Sequence, residues 1–180
     1  MLLPIRDWKE EVMAKKTAYM GMLVALAFIF SYIESLIPVS VGIPGIKLGL
    51  ANMVVIITLY TMGAVPAFIL SLVRIVLTGF TFGNLAMMMY SLGGGMLSIL
   101  IMVTARKTKW FSVTGVSVLG AVSHNIGQLM VAALVVENSS LFYYLPVLLI
   151  SGAVFGIIIG IVGANLIKRL TGFIGKQNVK

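Results

Sequence analysis

Cysteine is absent from the 180 residues, and histidine occurs once. Without a thiol the chain can form no disulfide, no thiolate nucleophile and no thiolate metal site. Acids are nearly as scarce. There are five, and Asp7, Glu10 and Glu11 crowd into the N-terminal arm. No two acids share a face of an apolar helix, so no carboxylate pair can hold Mg²⁺ against a diphosphate. No serine has a base in obvious register. A Walker motif is missing, so an ATP-driven step must come from another chain. The run Gly93-Gly94-Gly95 is no substitute for one. It follows no strand, carries no adjacent Lys-Ser/Thr and lies inside an apolar stretch, where it reads as a close helix approach or a kink. The first fourteen residues are charged and lack an early apolar core, so no cleavable signal peptide is expected. The chain reads as a non-enzyme with no cofactor and no metal.

What remains is hydrophobic. Apolar residues make up 60% and charged residues 10%, and the mean hydropathy is +1.11. Runs near 20 apolar residues match the ~30 Å hydrocarbon core of a bilayer. The expected fold is an all-α membrane bundle of six spans, at about 17–37, 47–62, 64–80, 85–105, 111–136 and 141–167. Residues 1–16 read as a cytoplasmic or interfacial arm, 17–168 as the transmembrane domain, and 169–180 as a basic cytoplasmic tail. Pro38 ends the first span, Gly63 and Pro66 mark a very tight turn after the second, and Asn84 reads as the N-cap of the fourth. Ala14, Ala18, Gly21 and Ala25 recur on one face of the first helix, and small faces let helices approach closely in lipid. That face serves either packing within the chain or docking of a separate membrane subunit. Gly152, Gly156 and Gly160 form a second small-residue zipper in the last span.

Basic residues fall at span ends, at Lys15–Lys16, at 106–109 and beyond Lys168. The chain's pI near 9.9 therefore reflects topology rather than nucleic-acid binding. The positive-inside rule places both termini in the cytoplasm. The expected location is the bacterial plasma membrane.

Four costly residues lie in or beside the apolar runs: Glu34, Lys47, Arg74 and His124. A charge at bilayer depth costs roughly 2.5 kcal/mol or more, so it usually faces a cavity or a partner. Arg74 shares a helix face with Ser71 and Thr78, and cannot easily lose its proton. It needs a carboxylate, carbonyls, water or an anionic ligand, and an ion pair with Glu34 is one solution. In the fifth span Ser117, Gly120, His124 and Gln128 form a stripe, with Asn125 beside it. At ~1.5 Å per residue, Arg74 lies roughly 9 Å and His124 roughly 18 Å inside the outer face. This graded descent suits a cavity open to the exterior. The ligand-contacting residues expected are Glu34, Lys47, Asn52, Arg74, Thr78 and Asn84, with His124, Asn125 and Gln128 deeper. Met87, Met88 and Met89 read as packing or as an adaptable pocket wall.

Four segments carry a family resemblance: PGIKLGLAN at 44–52, VRIVLTGFTFGN at 73–84, SLGGGMLS at 91–98 and GAVSHNIGQL at 120–129. The chain resembles the Gx transporter family, also labelled heptaprenyl diphosphate synthase component I. That family in turn resembles the substrate-binding S components of energy-coupling factor transporters. The resemblance implies a six-helix bundle that captures a vitamin or similar micronutrient outside the cell. It also implies partners, a transmembrane T subunit and two ATPases, with the Ala14, Ala18, Gly21, Ala25 face meeting the T subunit. The missing Asp-rich motifs speak against the synthase label as an activity. Arg74 and Lys47 favour a ligand with an anionic group beside an apolar or aromatic body. A membrane scaffold for isoprenoid, quinone or flavin-linked redox metabolism is the principal alternative. A stand-alone or proton-coupled carrier ranks below it, because a lone mid-membrane histidine makes a poor proton relay.

Overall fold

The computed structural model describes residues 5–37 and 48–177, with the backbone alone for 5–9, 12 and 172–177. Among the described residues there are six α-helices, one short 3-10 helix and no strand. The helices are α1 (Ile5–Leu36), α2 (Leu50–Thr61), α3 (Ala64–Thr81), α4 (Leu85–Thr108), α5 (Val113–Val136) and α6 (Leu145–Gln177). The 3-10 turn, Ser139–Tyr144, leads into α6.

Five segments are long and apolar enough to cross a membrane: Met13–Leu36, Ala64–Thr81, Leu85–Thr108, Val113–Val136 and Ser139–Thr171. The chain therefore has the make-up of a multi-pass membrane protein. α2 is the exception to the six expected spans. Its 12 residues rise only ~18 Å, well short of a ~30 Å hydrocarbon core. Ala51 and every residue from Met53 to Leu59 are buried. An all-round apolar helix belongs inside a core, and α2 is apolar because its neighbours enclose it.

Those neighbours are α1, α3 and α6. The other contacts close a ring: α3 packs on α1 and α4, and α5 lies between α4 and α6. The core centres on α2, with Leu23 and Ala27 of α1, Leu70 of α3, Met102 and Ala105 of α4, Val116 of α5 and Ile159 and Ile167 of α6.

Local signals explain the breaks. Asn84 accepts from the Met87 amide at 2.8 Å and caps α4, as its position predicts. Ser112 does the same for α5, from Gly115 at 3.1 Å. Arg106 and Lys107 occupy the last turn of α4, the favourable end for cations. Arg106 also donates to the Leu59 carbonyl, and its guanidinium lies 4.9 Å from the centre of the Tyr60 ring. That pair ties the end of α4 to the end of α2.

Two glycine approaches set the helix spacing. A Cβ on Gly127 would lie 2.6 Å from the Gly93 oxygen, and one on Gly94 2.7 Å from the His124 oxygen. The triple glycine thus brings α4 against α5, as expected. Gly156 and Gly160 do the same for α6, where a Cβ would meet the Val118 and Thr114 Cα atoms at 2.8 and 2.7 Å. Buried hydroxyls bond to carbonyls one turn back on their own helix, as in Ser31 to Ala27 at 2.9 Å and Thr58 to Val54 at 2.7 Å, or across to a neighbour, as in Ser98 of α4 to Gly120 of α5 at 2.8 Å. This satisfies polar groups that have no water to turn to.

The small-residue face of α1 points away from this core. Ala14, Ala18, Gly21 and Ala25 are all exposed, and a Cβ on Gly21 would meet nothing within 4 Å. Leu23 and Ala27 are the inward residues of the same helix. Of the two roles open to the small face, packing within the chain is excluded for the described residues.

Candidate functional site

Glu34 sits near the end of α1, and its carboxylate receives the start of α2. Its Oε1 accepts from the backbone N–H groups of Gly49 and Leu50, the latter at 3.0 Å. Gly49 has φ +80°, a left-handed conformation that glycine takes without penalty. The resulting turn aims two otherwise unpaired amides at α1. A carboxylate at a helix N-terminus is favoured both by the hydrogen bonds and by the helix dipole. No Glu34–Arg74 ion pair forms among the described residues. Of the partners open to Glu34, the start of α2 is the one it bonds.

Arg74, on α3, is consequently short of partners. Its Nη2 reaches Asn52 Oδ1 of α2 at a long 3.5 Å. Its Nε is buried and has no hydrogen-bond partner among the described residues. Guanidinium nitrogens carry only donors, so an acceptor from outside the described chain would satisfy this one. Asn52 and Arg74 lie 22 positions apart, and the tight α2–α3 turn folds them together.

A cavity of about 50 Å³ opens at this point, lined by all six helices. Glu34, Asn52, Arg74, His124, Asn125 and Gln128 all face it. Six of the nine expected ligand contacts thus converge on one space. A second cavity of about 120 Å³ shares Glu34, Arg74 and Ser91 with the first and adds Ser31, Thr78 and Met88. Thr78 therefore belongs to the same region, one chamber over. Asn84 does not: it is exposed, and its side chain is committed to capping α4. Lys47 lies outside the described residues.

The α5 stripe is a cavity wall along its whole length, from Ser117 through Gly120 and His124 to Gln128. Asn125 donates to the Leu148 carbonyl of α6 at 2.7 Å. Gly152 makes room for it, since a Cβ there would sit 2.8 Å from the Asn125 amide nitrogen. One glycine of the α6 zipper therefore supports the site as well as the packing. Sequence reasoning missed Ser91, Ser98, Met102 and Phe155 as lining residues. The two serines are seven positions apart on α4, two helical turns on one face, which is the signal that could have found them.

Kinship follows from a family comparison. The family described as heptaprenyl diphosphate synthase component I has a model that matches residues 23–166. The chain belongs to this family. The match takes in all four motifs quoted above and every helix that lines the cavity. No curated protein and no solved structure matches the chain. In this family member the motifs supply most of the cavity's polar residues. Asn52, Arg74, Ser91, Ser98, His124, Asn125 and Gln128 lie within the four segments and line it.

Proposed function

We propose that the protein is the membrane-embedded, substrate-capturing subunit of an ATP-driven importer of the energy-coupling factor type. In this reading the chain crosses the membrane six times, with α2 in the second crossing, and both termini are cytoplasmic. The basic ends at Lys15–Lys16, 106–109 and Lys168–Arg169 support that orientation. The membrane would be the bacterial plasma membrane. Glu34 and the start of α2 then mark the outer end, and Arg106 with the end of α2 the inner end.

The observation that carries the proposal is the convergence of Arg74, Asn52, His124, Asn125 and Gln128 on one cavity inside an apolar bundle. Such groups at membrane depth mark a substrate path by default. The cavity is far below the ~300–1,000 Å³ typical of drug-sized ligands, so it suits a small molecule. The family's printed name raises synthase chemistry, but the five acids of the chain include no pair suited to Mg²⁺ and a diphosphate. We therefore assign binding and not catalysis. The exposed small face of α1 supports a second membrane protein docking there, the T subunit, which would bring two ATPases.

The decisive experiment is gentle extraction of the tagged chain from its native membrane and mass spectrometry of what accompanies it. Recovery of a transmembrane subunit with two ATPases is the expected outcome. Recovery of a prenyl synthase or redox enzymes without ATPases would overturn the importer in favour of a scaffold.

A further inference from the structure

The cavity at Arg74 has a neighbour of different character. A chamber of about 220 Å³ lies between α4, α5, the 3-10 turn and α6. Tyr90, Leu129, Ala132, Tyr144 and Leu148 are among its walls. Its lining is apolar except for the tyrosines and two amides, and those amides are Asn125 and Gln128. The same two side chains face the Arg74 cavity. The amide pair is therefore a partition with a polar room on one side and an apolar room on the other. Asn125 is fixed to the Leu148 carbonyl. The side chain of Gln128, half-buried, makes no hydrogen bond among the described residues.

We infer that the ligand is a small amphipathic carboxylic acid: its carboxylate lies against Arg74, and its apolar arm passes the Asn125–Gln128 partition into the Tyr90–Leu148 chamber. This rests on the capture reading and names the substrate class for the same site. Three observations carry it. Arg74 holds a buried Nε without a partner, and the planar guanidinium fork matches a carboxylate. Arg74 is the one cation facing its cavity among the described residues, and Glu34 already brings a negative charge there. A single guanidinium beside a carboxylate has too little positive charge for a diphosphate, and a monoanion is the most that its remaining donor suits. Finally, the apolar chamber exceeds the ~150 Å³ that admits benzene in an engineered protein cavity. It therefore has room for an aromatic ring or a short branched chain. The two rooms meet at Asn125 and Gln128, so an arm attached to a carboxylate passes by displacing Gln128, whose side chain holds no hydrogen bond among the described residues.

The test uses the full chain in lipid nanodiscs and calorimetric titration with 3-phenylpropionate and 4-phenylbutyrate. Butyrate lacks the ring, and 4-phenyl-1-butanol lacks the carboxylate. Burying a ring of this size is worth about tenfold or more in affinity. The better phenylalkanoate should accordingly bind at least tenfold more tightly than either control. Arg74→Gln should erase the preference for the acid over the alcohol. Ala132→Trp, or Val136→Trp at the exposed end of the chamber, should erase the preference for the ring over butyrate, and thermal unfolding of each variant in nanodiscs reports whether it is folded. Equal binding of phenylbutyrate and butyrate would overturn the inference. So would a ring preference that survives both tryptophan variants, or an apolar chamber found filled by lipid acyl chains. Failure here, in a chain that still purifies with a membrane subunit and ATPases, sinks the two-room assignment alone. Phenylalkanoate binding in a chain that recruits no ATPase sinks the importer alone.

Discussion

The Oε1 atom of Glu34 accepts a hydrogen bond from the amide of Leu50 at 3.0 Å, across 16 positions of chain. The short helix α2 is thereby anchored at its start by an acid from α1. At its other end Arg106 of α4 donates to Leu59. Each charge has the sign that the helix dipole favours at that end.

Loss of the Glu34 carboxylate should loosen α2. Replacing a good helix cap by alanine costs roughly 0.5–2 kcal/mol. Glu34→Ala is expected to lower the midpoint of thermal unfolding in detergent, with Glu34→Gln between it and the parent because its amide oxygen still accepts. An alanine variant that melts with the parent would show that the contact adds nothing.

Arg74→Gln should behave in the opposite way. Its buried Nε has no partner among the described residues, and an unsatisfied buried charge is costly to a fold. The variant is expected to be at least as stable as the parent and to lose ligand binding. Thermal unfolding and equilibrium binding on one preparation check both halves. Marked destabilisation would mean that Arg74 is structural.

Arg106→Ala removes a carbonyl cap and the contact with the Tyr60 ring together. A loss of about 1–2 kcal/mol is expected from the two terms, with Arg106→Lys recovering part of it. Urea or SDS titration of the three proteins gives the order. No ligand effect is expected, since Arg106 lines neither cavity that contains Arg74.

Glycine substitutions separate packing from docking. Gly127→Ala would place its Cβ 2.6 Å from the Gly93 oxygen, and overpacking of this kind typically costs 1–3 kcal/mol. Gly21→Leu meets open space, so it should leave stability and ligand binding untouched. It should nevertheless abolish co-purification of a membrane partner, if that face docks one. A Gly21→Leu chain that still assembles normally would remove α1 from the interface.

Much of the cavity was legible along the chain because polar residues are expensive in an apolar run. Arg74, His124, Asn125 and Gln128 stand out against their neighbours by cost alone, and helical spacing put Gln128 and His124 on one face. The choice between partners was not legible. Glu34 could have paired with Arg74, with solvent or with a backbone end, and one-dimensional spacing does not rank them. Asn84 was legible twice, as a cap and as a ligand contact, and only its geometry as a cap decided between them. Likewise, the small face of α1 could be inward or outward until Leu23 and Ala27 were seen to take the inward side.

By itself, then, the sequence determined the solvent and the element type. Long apolar runs must satisfy their backbone internally, and in lipid that means helices. The absence of cysteine excluded thiol chemistry in the same way. Tertiary structure alone decided that α2 is a short enclosed helix rather than an ordinary span, that Glu34 serves its N-terminus, and that Arg74 is left with an unused donor. The reason is that hydrophobicity acts on each residue wherever it lies, whereas a hydrogen bond exists only between two groups brought within about 3 Å. Contacts across 16 or 22 positions are set by how six helices close around one another, and no single stretch of chain carries that information.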